Sequence, residues 1–478
     1  MRRLLVSAGL VLALTLFIGA FYKVSNLHVN PFRAESGVYL ASAHGPDKSK
    51  FLRKYVISPY NGHFTPVVFG SEFAQARILG ASERGWFWRQ MLVLGLLGAA
   101  LVRFAKLVFS KAGLSAVPAA ACAVLSACIF IFQPTIVELA AWPFMSFQLL
   151  CLACAAMAAY YVARLCESAA RRDLVLFLFW GYAAMHCFGV GAAISAAAVG
   201  VAGLIVWALR MPRSSWAIVA GFGVLTVLHA YVMSRSAGQD FGQTLPLDIN
   251  VERFGAFFVG SVYAGVRSLW ANGRFPWPNV DAFMVDSVYG VGLLLIAVST
   301  VLLLAYRARE DRAALTTGAI VAFPIGALAL YCFLTVFRNR AIPDPHIMDT
   351  YFFGTRYIVF PAFFVFLAGT AAVIPLARSL RGLVAVPIGI AAASCMLATS
   401  TFLDGTVPKL WPHISQSSQS LWNREVDEAR HQLAASGSVR DRKLVALDPE
   451  FQSPMSIYAG VLERELGCRG CVRFEGSK

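Results

Sequence analysis

Charge is what this chain has least of. Only 14% of its 478 residues are Asp, Glu, Lys or Arg, and the acids number just 26. A soluble protein of this length would build about three domains of roughly 150 residues, each needing a polar surface that this composition cannot supply. Low-complexity tracts and internal repeats are missing too, so disordered, collagen-like and solenoid classes drop out. There is no Gly-rich phosphate loop, no Ser-His-Asp arrangement and no HExxH sequence. Nucleotide-driven transport and hydrolytic metalloprotease chemistry therefore leave the front rank.

What the chain has instead is apolar residues, 58% of the total, with a mean hydropathy of +0.64. They fall in blocks of about 20, the length that crosses about 30 Å of hydrocarbon. The net charge of +15 would suit a nucleic-acid binder, but the basic residues sit mostly at the ends of the apolar blocks. That is a topology signal, and no nucleic-acid partner is expected.

Eleven candidate spans follow: 5–22, 88–109, 114–133, 143–163, 174–189, 191–209, 216–234, 285–306, 314–336, 357–377 and 382–402. The stretch 174–209 would reach about 54 Å as one helix, too long for an ordinary bilayer, so it is split at Gly189-Val190-Gly191. Span one reads as a retained signal anchor, since no small-x-small cleavage site precedes a polar mature start. One set of alternate loops is short and basic: Arg2, Arg3; Arg103, Lys106, Lys111; Arg164, Arg171, Arg172; Arg210, Arg213; Arg307, Arg309, Arg312; Arg378, Arg381. Against these stand Glu167, Asp173, Glu310 and Asp311. By the positive-inside rule this set and the N-terminus are cytoplasmic. The polar chemistry then lies outside, in loops 23–87, 235–284 and 337–356 and in the tail 403–478. The expectation is an all-α polytopic membrane domain over 1–402 and a small extracytoplasmic region over 403–478.

Eight cysteines lie in or beside spans, where thiols act as small apolar fillers. Cys468 and Cys471 form a Cys-x-x-Cys in the outer tail, and a disulfide suits them better than a zinc site, which would want a second ligand pair. The tail carries a β-α-β pattern, with strands at Leu444–Leu447 and Val472–Phe474 around a helix at Ser456–Leu466, hence a small α/β unit leaning on the membrane part. Pro408 to Gln419 reads as the connector. His186 and His229, in apolar spans, read as interhelical hydrogen bonders.

The first outer loop is rich in titratable groups: His28, Glu35, His44, Asp47, His63 and Glu72. It is too apolar for disorder and should fold down onto the bundle. Within it Asn61-Gly62 signals a turn, and Val67–Leu79 has the spacing of an interfacial helix. A carboxylate at membrane depth, Glu138, is costly unless paired or facing a wet cavity.

Three segments together resemble the GT-C superfamily of integral-membrane glycosyltransferases. They are the long loop with its early acid and Asn61-Gly62-His63-Phe64-Thr65-Pro66; the segment Gln133-Pro134-Thr135-Ile136-Val137-Glu138-Leu139-Ala140-Ala141-Trp142; and Arg356-Tyr357 opening a span. The resemblance covers 1–165 well and 340–402 loosely. It implies a GT-C-like fold in a bacterial inner membrane and inverting transfer from a polyprenyl-phosphate-linked sugar to a glycan, lipid or protein acceptor at the outer face. The usual pair of loop acids is missing here. By position Glu35 takes the base role, with Asp47 behind it, and His63 could orient the base, contact the lipid phosphate or itself take the proton. Arg356 with Tyr357, Glu138, Arg338 and Arg340 are the candidates for substrate binding, guanidinium groups suiting phosphate. Asp344, His346 and Asp349 have the donor types for a divalent cation, but their spacing defines no metal site. An O-antigen polymerase or ligase, or a transporter of lipid-linked substrates, is the competing class.

Overall fold

The computed structural model describes residues 2–46, 48–59, 64–235, 251–270, 312–338, 355–380, 385–405, 416–447 and 453–475. The described residues are mostly helical, with no strand among them. In order the helices are α1 (Arg2–Val24), α2 (Ala34–His44), α3 (Lys48–Phe51), α4 (Pro66–Leu79), α5 (Glu83–Lys111), α6 (Ala116–Ile131), α7 (Pro134–Ala141) and α8 (Ser146–Ser168). They continue with α9 (Arg171–Met185), α10 (Gly191–Ala208), α11 (Arg213–Ser234), α12 (Val251–Trp270), α13 (Arg312–Arg338), α14 (Thr355–Leu380), α15 (Ala385–Gly405), α16 (Ser418–Ser436) and α17 (Ala459–Leu466).

Six helical segments are long and apolar enough to cross a membrane: Leu5–Val24, Glu83–Lys111, Pro143–Ser168, Gly191–Ala208, Arg213–Ser234 and Leu315–Val336. A seventh arises if α6 and α7 count as one span bent by 70°. This is a multi-pass membrane protein. Of the other expected spans, 174–189 forms the 15-residue α9, and 285–306 lies outside the described residues. The expected spans 357–377 and 382–402 fall on α14 and α15, whose fully described parts, Ile358–Ala371 and Val386–Thr401, are apolar.

The chain does break between α9 and α10, where the length argument puts a turn. Glycine is required there, because a Cβ on Gly191 would collide with the backbone at Ala184 and Met185. The two helices then pack side by side, so closely that a Cβ on Gly181 would meet that of Ala198. Around this hairpin α5 packs on α1, α6 and α8, while α14 packs on α12, α13 and α7.

The third expected span, 114–133, is the helix α6, and the short helix α7 follows it at a bend of 70°. Pro134 has no N–H to continue the helix from α6, so α7 restarts on it as its first residue. At membrane depth, carbonyls freed by such a break need donors. Tyr22 donates its hydroxyl to the Ile131 carbonyl at 3.0 Å, and Thr399 donates to that of Phe132. Phe17 and Phe21 close the corner edge-on against Phe132.

The tail differs most from its sequence reading. Leu444–Leu447 is a turn closed by the Leu447 N–H donating to the Leu444 carbonyl at 3.0 Å. Val472–Phe474 makes a single bridge to Val439. Leu444 and Leu447 are buried in a core built mainly by helices, and Val472 and Phe474 pack against its edge. A 19-residue helix, α16, begins where a connector was expected; Ser417 caps it by accepting from the Ser420 N–H at 3.3 Å. Leu421, Trp422, Val426 and Ala429 line its buried face. Their core is completed by Phe32, Leu40 and Ala41 of the first outer loop, with Phe32 against both Trp422 and Tyr458. Loop and tail thus form one packed unit. Cys468 is joined to Cys471 at its edge.

One contact in this unit depends on protonation. Arg464 lies 2.9 Å from His44 Nε2, and a guanidinium can only donate, so Nε2 is the unprotonated nitrogen and Nδ1–H donates to the Leu40 carbonyl at 3.1 Å. Burial holds His44 below the usual imidazole range; the Leu40 carbonyl opposes this, and Arg464, Lys48 and Arg77 add to it. A depressed folded value means that the contribution to tail attachment is full above about pH 6.5 and is lost as pH falls through the folded value. Hydrogen exchange of α17, corrected for intrinsic rates, is expected to rise between about pH 7 and pH 5. His44→Gln should flatten that rise; an equal rise in both proteins would show that another group is responsible.

Candidate functional site

The first turn of α2 sits directly on the α7 segment. Arg33, immediately before α2, donates from Nη2 to Glu138 Oε1 at 2.9 Å, and its guanidinium lies 4.4 Å from the centre of the Trp142 ring. Ser36 accepts at Oγ from the Phe144 N–H at 2.9 Å. Glu35, half-buried, lies between these two anchors in the chain. Ala34 holds φ +47°, a left-handed conformation that a non-glycine residue adopts only when its surroundings enforce it. The anchors on either side do so.

The carbonyls ending α7 are also provided for. Gln90 of α5 donates from Nε2 to Leu139 at 2.8 Å and Trp142 at 3.0 Å, and Arg89 donates to Pro143 at 2.8 Å. The Asn30 N–H donates to Ala141 at 3.1 Å, while its side-chain amide donates to Leu447 of the tail at 2.6 Å. Asn30 therefore ties together loop, broken helix and tail.

A second buried ion pair, Glu72 of α4 with Arg89, fixes the loop's other helix to α5. Burial pushes Glu72 up to about 7, with the Arg89 guanidinium pulling the other way. Glu83, the first residue of α5, accepts from His28 Nδ1 at 2.5 Å, Ser417 Oγ at 2.8 Å and the Gln419 N–H at 2.9 Å, and so fastens the tail.

Several polar atoms along 133–148 are left over. The amide of Gln133, the hydroxyls of Thr135 and Ser146 and Oε1 of Gln148 are buried and have no hydrogen-bond partner among the described residues. An unsatisfied buried polar atom costs roughly 1–3 kcal/mol. Four such residues, two at the start of α7 and two at the start of α8, are capacity for polar ligands or for water.

The other expected site residues are less fully placed. Asp47, His63 and Arg340 lie outside the described residues, as do Asp344, His346 and Asp349. Arg338 closes α13, and Arg356 and Tyr357 open α14, the helix that packs on α7; their side chains are outside the described set. His229 donates to the Phe64 carbonyl at 2.8 Å, a loop partner rather than an interhelical one, and His186 lies against it with ring centres 4.7 Å apart. No group of three or more His, Cys, Asp or Glu suited to a metal occurs among the described residues.

Sequence reasoning missed Arg33, Asn30, Arg89 and Gln90. Its one usable signal was the demand of Glu138 for a partner. Compared with profiles of known families, curated proteins and solved structures, the chain matches none.

Proposed function

We propose that this chain is an inverting GT-C-type glycosyltransferase that moves a sugar from a polyprenyl-phosphate donor to an acceptor at the outer face. In this reading it has eleven spans, with the N-terminus in the cytoplasm and the loop–tail unit outside. The observation that carries the reading is the seating of Glu35 on the broken helix through Arg33–Glu138 and Ser36–Phe144. Arg33 and Ser36, on either side of the one loop acid before residue 46, are held on the 138–144 segment, whose chain neighbours Gln133, Thr135, Ser146 and Gln148 have buried polar atoms with hydrogen-bonding capacity to spare.

Glu35 takes the proton of an acceptor hydroxyl as its oxygen bonds to the anomeric carbon. The bond from that carbon to the phosphate oxygen breaks, and polyprenyl phosphate leaves with the electron pair. Arg356, at the head of a helix packed on α7, receives the phosphate. The deciding experiment compares surface glycans by mass spectrometry with and without the gene. One sugar should be missing from one glycan class in the deletion strain and restored by the intact gene. Identical glycan profiles would overturn the proposal.

A further inference from the structure

The end of the bundle away from the loop–tail unit carries arginines that the transfer reading does not use. α8 begins beside that unit and runs to Ser168, so the start of α9, the end of α10 and the start of α11 lie on the opposite side. From 143 to 235 the chain has two acids, Glu167 and Asp173, and both are already paired, with Lys111 and Arg164. Arg171, Arg172, Arg210 and Arg213 are exposed and have no partner among the described residues.

Helix register gathers the four. Counting equally back from the close approach of Gly181 and Ala198 brings Arg171 level with Ala208, the last residue of α10. Ser195 Oγ lies 2.7 Å from Thr226 Oγ1, so α11 runs back along α10 from the connector that holds Arg210, and it packs on α9 as well. All four arginines therefore crown one end of a three-helix cluster. Arg210 has φ +50°, in a turn closed by the Met211 N–H donating to the Val206 carbonyl at 3.0 Å, a position that glycine ordinarily takes. Next to it α11 starts on Pro212 without a side-chain cap, so its first N–H groups add to the positive field. Ser215, in the same first turn, is wholly buried with a hydroxyl that has no partner.

Beyond Arg213 the surface turns apolar. Trp216, Ala220, Val224, Val227 and Tyr231 follow it at helical spacing, all of them exposed, and no charged residue interrupts the stripe. Only 22% of the most apolar stretch of α11 is buried inside the protein, against 67% for α10, so this face of α11 meets the bilayer. Guanidinium forks at the head of such a stripe match a phosphate that is joined to an acyl chain. Trp216, one turn in from Arg213, is of the type that settles at headgroup level. A soluble anion would engage the arginines and leave the stripe uncovered.

We infer that an anionic phospholipid docks at this end, with its phosphate on Arg210 and Arg213, Arg171 and Arg172 beside it, and an acyl chain along Trp216, Val224 and Val227. The full chain, purified in mild detergent, is titrated by native mass spectrometry with phosphatidylglycerol, with phosphatidylcholine of the same acyl chains, and with glycerol 3-phosphate as a head group lacking a chain. Arg210→Gly/Arg213→Gln removes two cations while giving the left-handed position its favoured residue, so the turn is kept. Arg171→Gln/Arg172→Gln removes the neighbouring pair and carries the test should the first variant fail to insert. Arg469→Ala/Arg473→Ala takes the same charge from the tail.

Phosphatidylglycerol is expected to bind the wild type about tenfold more tightly than phosphatidylcholine and to lose most of that advantage in each variant at this end, with the tail variant unchanged. Glycerol 3-phosphate at equal concentration should not displace it. Displacement would assign the arginines to a soluble phosphate and overturn the lipid assignment. Equal affinity for the two lipids, unchanged phosphatidylglycerol binding in either variant at this end, or an equal loss in the tail variant overturns it too. Sugar transfer plays no part in the measurement, so its outcome and that of the glycan comparison are independent.

Discussion

Replacing Arg33 with Met is expected to lower the folding free energy by roughly 3–5 kcal/mol, because it leaves Glu138 buried without its cation. The pair bridges 105 positions of sequence, with both side chains almost wholly out of solvent and only 2.9 Å between them. Glu138→Leu should cost a comparable amount by stranding the guanidinium over Trp142. Removing both charges together, as Arg33→Met/Glu138→Leu, should recover most of the loss, since neither ion is then left uncompensated. Thermal unfolding of the four proteins in one detergent gives the coupling directly. If the double variant is as unstable as the sum of the singles, the two side chains act independently and the pair does not hold α2 on α7.

The membrane part was partly legible because its physics is one-dimensional. A 36-residue apolar run cannot be one crossing helix, so the turn near Gly189 followed from length alone, and the structure turns between Met185 and Gly191. The helix at 66–79 also followed from local spacing. The end of span three at Gln133 followed too, but the sharply bent helix that restarts at Pro134 did not. Proline permits a restart, but whether a span breaks there depends on donors such as Tyr22 and Thr399 that lie far away in sequence. The same limit hid Arg33. Glu138 advertised a need for a partner, yet nothing local distinguishes Arg33 from any other loop arginine.

The tail failed for a different reason. Four apolar residues at 444–447 fit a strand and an inward-facing turn equally well, and only the neighbouring elements decide. Here those neighbours are α16 and the loop residue Phe32. The start of α16, Ser417 to Ser420, has the composition of a linker, and its amphipathic face emerges only from Leu421 onward. A loop and a tail that complete each other's core cannot be read from either segment alone.

Glu35→Gln is expected to fold, insert and bind donor as the wild type does, while sugar transfer falls about a hundredfold or more. A hydroxyl attacking an anomeric carbon must lose its proton as the new bond forms, and a carboxylate within about 3 Å can take it, a contribution of typically 10²–10⁴ in rate. Glu35 lies in the first turn of α2, where the helix dipole favours a negative charge. Gln keeps the size and the hydrogen bonding of Glu but lacks the basic electron pair. Arg33 and Ser36 hold the turn on either side, so the exchange does not release it from α7. The measurement is transfer from a purified polyprenyl-phosphate sugar, read as kcat with donor binding determined separately. Near-normal transfer by Glu35→Gln, with loss in Asp47→Asn or His63→Ala, reassigns the base within the same loop. Near-normal transfer by all three variants removes the first loop from catalysis, and the polymerase and transporter readings then take precedence.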